Sequence, residues 1–141
     1  VSEHVRATAL VPGEASGELL VSREPLSFWG GYDPKTGEII DRRHPLSGVV
    51  AAGRVLVMPF TRGSSTTTAI LLESIRAGTA PSAIITNRVD TFLALASIVA
   101  GELYGSAVPI VATSPLDFER FKTGEHVRIS LEGDVWIDFS S

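Results

Sequence analysis

The chain has 141 residues, a formal charge of −4 and no cysteine. The length suits one compact domain, and 44% hydrophobic with 20% charged residues supports a packed core and excludes wholesale disorder. Its acidic balance argues against nucleic acid or an anionic membrane as the main partner, while the lack of thiols excludes disulfides, a cysteine nucleophile and thiolate-held metal clusters on this chain.

Val1 to Leu10 carries Glu3, His4 and Arg6 and forms no long apolar run, so no targeting segment is expected. Arg6–Val11 and Glu18–Ser22 read as short strands on either side of the Pro12–Gly13 turn signal. A long polar and aromatic loop follows from Leu26 to Ser47, with Asp33-Pro34-Lys35-Thr36-Gly37 as a tight turn inside it. Loops of this length within a compact domain usually serve a function.

The centre alternates between strand and helix patterns. Arg54–Pro59 predicts a buried strand, and Thr66–Ala77 a helix with Thr68, Leu71, Leu72 and Ile75 on one face and Gly78 as its stop. Ala83–Thr86 is a second strand, Thr91–Leu103 a second helix with Leu95, Ile98, Val99 and Leu103 inward, and Pro109–Thr113 a third strand. The longest apolar stretch, Phe92 to Ala100, lies between Asp90 and Glu102 and is too short to span a bilayer, so a soluble protein is expected, and the lack of cysteine fits the cytoplasm. His126–Leu131 and Val135–Phe139 alternate around Glu132-Gly133-Asp134 as a hairpin. The fold expected is one α/β domain over residues 1–141, a βαβαβ centre with a parallel sheet and flanking strands at both ends.

Two segments carry chemistry. Pro59-Phe60-Thr61-Arg62-Gly63-Ser64-Ser65-Thr66 lies where a strand hands over to a helix, the place where α/β sheets bind ligands and where free backbone N–H groups favour anions. Gly63 allows close approach of a ligand or a backbone conformation closed to side chains, Ser64 or Ser65 can cap the helix, and Arg62 can grip a carboxylate or phosphate. Plain capping explains the same residues. No lysine follows the glycine as a P-loop requires, and the spacing of a nucleophile elbow is missing.

The second segment clusters Phe28, Trp29 and Tyr32 beside Gly30 and Gly31, then runs through Asp33 to Arg42-Arg43-His44. The aromatics read either as a small core under the loop or as an interface anchor. His44 reads most simply as structural, Arg42-Arg43 as a solvated pair, and the three histidines lie too far apart for a metal site.

Glu-Pro-Leu-Ser-Phe-Trp-Gly-Gly-x-Asp-Pro-x-Thr-Gly-Glu-Ile-Ile-Asp from Glu24 to Asp41, then His44-Pro45-Leu46 and Arg62-Gly63-Ser64-Ser65, resembles the small subunit of the aconitase X family. The likeness runs from Gly17 to about Pro109 and implies a swivelling β/β/α domain, similar to the swivel domain of aconitase but on its own polypeptide. It further implies a hydro-lyase in which a larger partner subunit, in a heterodimer, carries an iron–sulfur cluster, with no cofactor on this chain and no activity without that partner. The substrate implied is a small anion. Archaeal two-subunit members dehydrate mevalonate 5-phosphate to trans-anhydromevalonate 5-phosphate on a variant isoprenoid route, and bacterial relatives dehydrate cis-3-hydroxy-L-proline. The separate length leans towards the archaeal substrate. A non-catalytic interaction module is the remaining reading.

By the same resemblance Ser64 is the general base, with Ser65 and Thr66 helping by backbone or hydroxyl contacts and Gly63 among the substrate-binding residues. Thr66 stands where aconitase has an arginine, so Arg62 is expected to take over part of the substrate contact. Phe28, Trp29, Gly30, Gly31, Asp33 and His44 are expected at the partner interface or the pocket loop.

Overall fold

Aliphatic residues with a two-residue period build a mixed sheet, and the computed structural model describes it over residues 2–63 and 65–138. In chain order the elements are β1 (Ser2–Val5), β2 (Thr8–Val11), β3 (Ala15–Val21), β4 (Leu26–Ser27), β5 (Val55–Val57), β6 (Thr61–Arg62), α1 (Ser65–Ala77), β7 (Ala83–Thr86), α2 (Thr91–Tyr104), β8 (Ile110–Ala112), α3 (Pro115–Phe118), β9 (His126–Ile129) and β10 (Val135–Asp138). An eight-stranded sheet runs β1-β10-β9-β3-β5-β7-β8-β2, and β4 pairs with β6 apart from it.

Strand β3 is the pivot. Its first half, Ala15–Glu18, pairs antiparallel with β9, and its second half, Leu19–Val21, pairs parallel with β5. The parallel centre β5-β7-β8 is the expected βαβαβ unit. Because successive side chains point to opposite faces, Leu56, Ile84 and Ile110 face α1 and α2 and pack with Leu71 and Ala96. Val55, Val57, Ile85 and Val111 face the other way, onto Phe118, Phe121, Val127 and Ile137. The hairpin half thus folds over the parallel half, giving the β/β/α layering.

The predicted strands and helices of the centre are present to within a residue or two. Strand β1 was not foreseen: only Val5 of its four residues is buried, so it carries almost no apolar signal. The Phe139 end of the predicted hairpin lies outside the described residues.

The inner face of α2 is corrected by the structure. Leu95, Ile98 and Leu103, expected inward, are exposed, and the buried set is Leu93, Ala96, Ser97 and Ala100. Small side chains on that face let α2 approach α1 closely, so bulk was the wrong guide to burial. In α1, Leu71 and Ile75 are buried as expected together with Thr67 and Ser74, while Thr68 and Leu72 are half-buried. Among the described residues no helix is long and apolar enough to cross a membrane.

Candidate functional site

Strand β5 ends at Val57, and the chain then turns through Pro59 and Phe60 into β6. Parallel pairing of Leu26 with Thr61 and Ser27 with Arg62 draws the long loop onto this turn. The two segments that the sequence singled out therefore meet in space. Gly63 has φ +102°, a conformation that an L side chain rarely adopts, so the glycine is required by the backbone itself. Ser64 lies outside the described residues, and Ser65 opens α1. Thr66 is exposed in the first helical turn, whereas Thr67 is buried with its hydroxyl unpartnered.

In front of the turn lies an open cleft of about 570 Å3, lined by Glu24, Pro25, Asp41, Arg42, Arg43, His44 and Arg62. Three arginines against two acidic residues thus line the cleft, in a chain that is acidic overall. Among the described residues the arginines in ion pairs are Arg23, Arg54, Arg76 and Arg120, so those of the cleft are free to bind an anion. Arg42 and Arg43 are exposed, as a solvated pair would be, but they share this cleft with Arg62, which sequence spacing did not reveal.

His44 is the fastener of that loop. Its Nδ1 accepts the Leu46 N–H at 3.1 Å, which leaves Nε2 to donate to Ser22 Oγ at 3.3 Å. Ser22 Oγ in turn donates to Glu24 O at 2.9 Å and accepts the Glu24 N–H at 3.0 Å. Both ring nitrogens are engaged in holding the chain, in keeping with the structural reading.

The aromatic cluster divides. Phe28 and Tyr32 are buried and pack as a tilted pair with ring centroids 5.1 Å apart, forming the small core under the loop. Trp29 is 65% exposed. Gly30 and Gly31 shape the turn between them, with Gly31 N–H donating to Phe28 O. Asp33 is not in the cleft: its Oδ1 accepts the Lys35 N–H at 2.9 Å and closes the predicted tight turn.

Tyr32 donates its hydroxyl to Thr79 O at 2.7 Å, and burial pushes its phenol well above the ordinary value of about 10. A raised folded-state value stabilises the protein below the unfolded value, and that contribution is lost as pH rises beyond it. Thermal denaturation of the parent should therefore show melting temperature falling faster above about pH 10 than in Tyr32→Phe. Parallel curves for the two would contradict this.

One functional candidate escaped sequence reasoning. Asp90, buried at the N-cap of α2, accepts the Thr61 N–H and hydroxyl at 2.7 and 2.6 Å through Oδ2 and the Leu93 N–H at 3.1 Å through Oδ1. An aspartate just before a helical pattern announces a cap, but its grip on Thr61 is a tertiary contact with no sequence signature. Next to it, Arg88 lies over the Phe60 ring at 4.2 Å and Asn87 N–H donates to Pro59 O at 3.2 Å, so the β7–α2 loop clasps the segment that leads to Arg62 and Gly63.

Comparison with known proteins agrees with this geometry. Residues 4–137 match the model of the family described as the aconitase X swivel domain. A cis-3-hydroxy-L-proline dehydratase of Pseudomonas aeruginosa is 54% identical over 101 residues, covering 72% of this chain but 17% of that protein. The chain spans less than a quarter of the length of the cis-3-hydroxy-L-proline dehydratases it matches. The phosphomevalonate dehydratase small subunit of Thermococcus gammatolerans is 38% identical over 132 residues, 93% of this chain and 95% of that one. The crystal structure of Thermococcus kodakaraensis aconitase X in its holo-form superposes with a TM-score of 0.87 at 33% identity, covering 97% of this chain and 99% of that chain.

Proposed function

The chain belongs to the aconitase X swivel domain family, and from that premise we propose that it is the small subunit of a hydro-lyase that eliminates water from a small anionic hydroxy acid. The observation that carries this reading is the meeting of the Arg62–Gly63 turn with the Arg42–Arg43 loop in one cleft, at the carboxyl end of a strand and the start of a helix. Ser64, placed by sequence between Gly63 and the first residue of α1, is the base that takes the proton from carbon. A serine hydroxyl is a weak base unless its alkoxide is stabilised, and the positive end of α1 with the Arg62 guanidinium supplies charge of the right sign. Arg62 and the first-turn N–H groups hold the substrate carboxylate, with Thr66 beside them.

An iron–sulfur cluster does not fit this chain. It has no cysteine, and among the described residues no three potential ligands converge. No step is assigned to a metal on this polypeptide. Departure of the hydroxyl falls to the large subunit, and the exposure of Trp29 supports its reading as an anchor for that partner.

For the substrate, mevalonate 5-phosphate is favoured by the three arginines that line the cleft, which suit a ligand with two anionic ends, and by relatives that this chain matches along nearly their whole length. A cis-3-hydroxy-L-proline substrate is favoured by the Pseudomonas aeruginosa relative and by Glu24 and Asp41, which could hold an ammonium group. The test is to assay water elimination from both compounds with this chain alone and with a cysteine-bearing large subunit. The expected result is turnover only in the complex and only of mevalonate 5-phosphate. Turnover of hydroxyproline alone selects the second reading, and turnover by the isolated chain, or of neither compound, overturns both.

A further inference from the structure

We infer that Asp90 is a positioning residue, whose buried carboxylate fixes the Thr61–Gly63 turn at the geometry that proton transfer requires. The inference rests on the function proposed above and adds a residue to it. Asp90 is 8% exposed, yet among the described residues its carboxylate forms no ion pair. Hydrogen-bond donors occupy it instead, two at Oδ2 from Thr61 and one at Oδ1 from Leu93.

Helix capping needs only the Leu93 bond, and serine, threonine or asparagine would provide it. The two short bonds from one residue 29 positions away go beyond capping. They call for a second acceptor oxygen, which among the good capping residues an ionised aspartate alone supplies. The N-terminal dipole of α2 helps to keep that charge buried.

The consequence follows from chain order. Thr61 immediately precedes Arg62 and Gly63, so the backbone position of Thr61 sets where Arg62 begins. A shift of Thr61 therefore displaces Arg62 from its place in the cleft that it lines with Arg42 and Arg43. Misplacement by about 1 Å is enough to cost on the order of a hundredfold in rate.

The experiment uses the assembled enzyme for kinetics and this chain for amide hydrogen exchange. Asp90→Asn keeps the side-chain shape but replaces one oxygen by a donor, so an N–H must oppose the N–H of Thr61 or of Leu93. In that variant kcat should fall about 10- to 100-fold with KM within roughly threefold. Thr61→Val should behave alike, and Thr61→Ser should restore the parent value. Ser97→Ala is the stability control, since it removes the bonds that tie Ser97 Oγ on α2 to the backbone of Val108, just before β8. It should lower the melting temperature and leave kcat unchanged. Exchange at Thr61 and Arg62 should quicken by about tenfold or more in Asp90→Asn relative to Ser97→Ala. Unaltered exchange at Thr61 overturns the inference, and so does a kcat for Asp90→Asn equal to that of the control. Should Ser64→Ala retain full turnover, the proposed function fails instead, and the exchange measurement still decides whether Asp90 holds the turn.

Discussion

Ser64→Ala should lower kcat of the assembled enzyme by about 10² to 10⁴-fold, the usual contribution of a positioned general base. KM should stay within roughly threefold, because ground-state binding is assigned to Arg62 and the first-turn N–H groups, which the substitution leaves in place. Loss in kcat without loss in KM is the signature of an interaction made mainly in the transition state. Co-elution of the variant with the large subunit is the control for assembly. A non-catalytic interaction module would give the opposite pattern, with turnover within a factor of about three of the parent. The same experiment judges the charge argument: if the alkoxide is stabilised by the start of α1 and Arg62, then Arg62→Gln should lower kcat as well as raise KM.

Legibility from sequence followed the range of the interactions involved. Ala83–Thr86 was readable as β7 to the residue because a run of three apolar residues closed by a β-branched threonine needs no partner to be recognised. The turn at Asp33–Gly37 was equally plain, since its Asp33 Oδ1 to Lys35 N–H bond spans two residues. Where partners are distant the signal fades. Nothing in Arg42-Arg43 announces Arg62, because β4–β6 pairing and the His44–Ser22 bond bring them together only in the folded chain. The α2 face was misread for a related reason: a pattern scan weighs large side chains, whereas packing against α1 selected Ala96, Ser97 and Ala100. The aromatic segment was ambiguous between core and anchor because Phe28 and Trp29 are adjacent and chemically alike, and only the folded loop, which turns at Gly30–Gly31, buries one and leaves the other outside.

That turn carries the largest stability effect expected in the chain. A Cβ on Gly31 would lie 2.0 Å from the carbonyl oxygen of Ser27, a backbone atom that cannot step aside as a side-chain tip can. Ser27 is paired with Arg62, and Gly31 O accepts the Ile40 N–H at 2.9 Å, so relieving the clash means breaking either the β4–β6 pair or the base of the cleft loop. Gly31→Ala should therefore destabilise this chain by at least about 3 kcal/mol, the upper end of ordinary overpacking. Gly30→Ala provides the internal comparison. Its φ of +73° strains any side chain, but no atom lies within 4 Å of the added methyl group, so its cost should be held to about 1–2 kcal/mol of backbone strain. Denaturant unfolding of the two variants separates steric exclusion from conformational preference at neighbouring glycines. Equal midpoints would mean that the Ser27 backbone yields freely, and the loop would then be too soft to hold Arg42 and Arg43 opposite Arg62. With Gly31→Ala clearly the worse, the cleft is shown to depend on one backbone approach that only glycine permits.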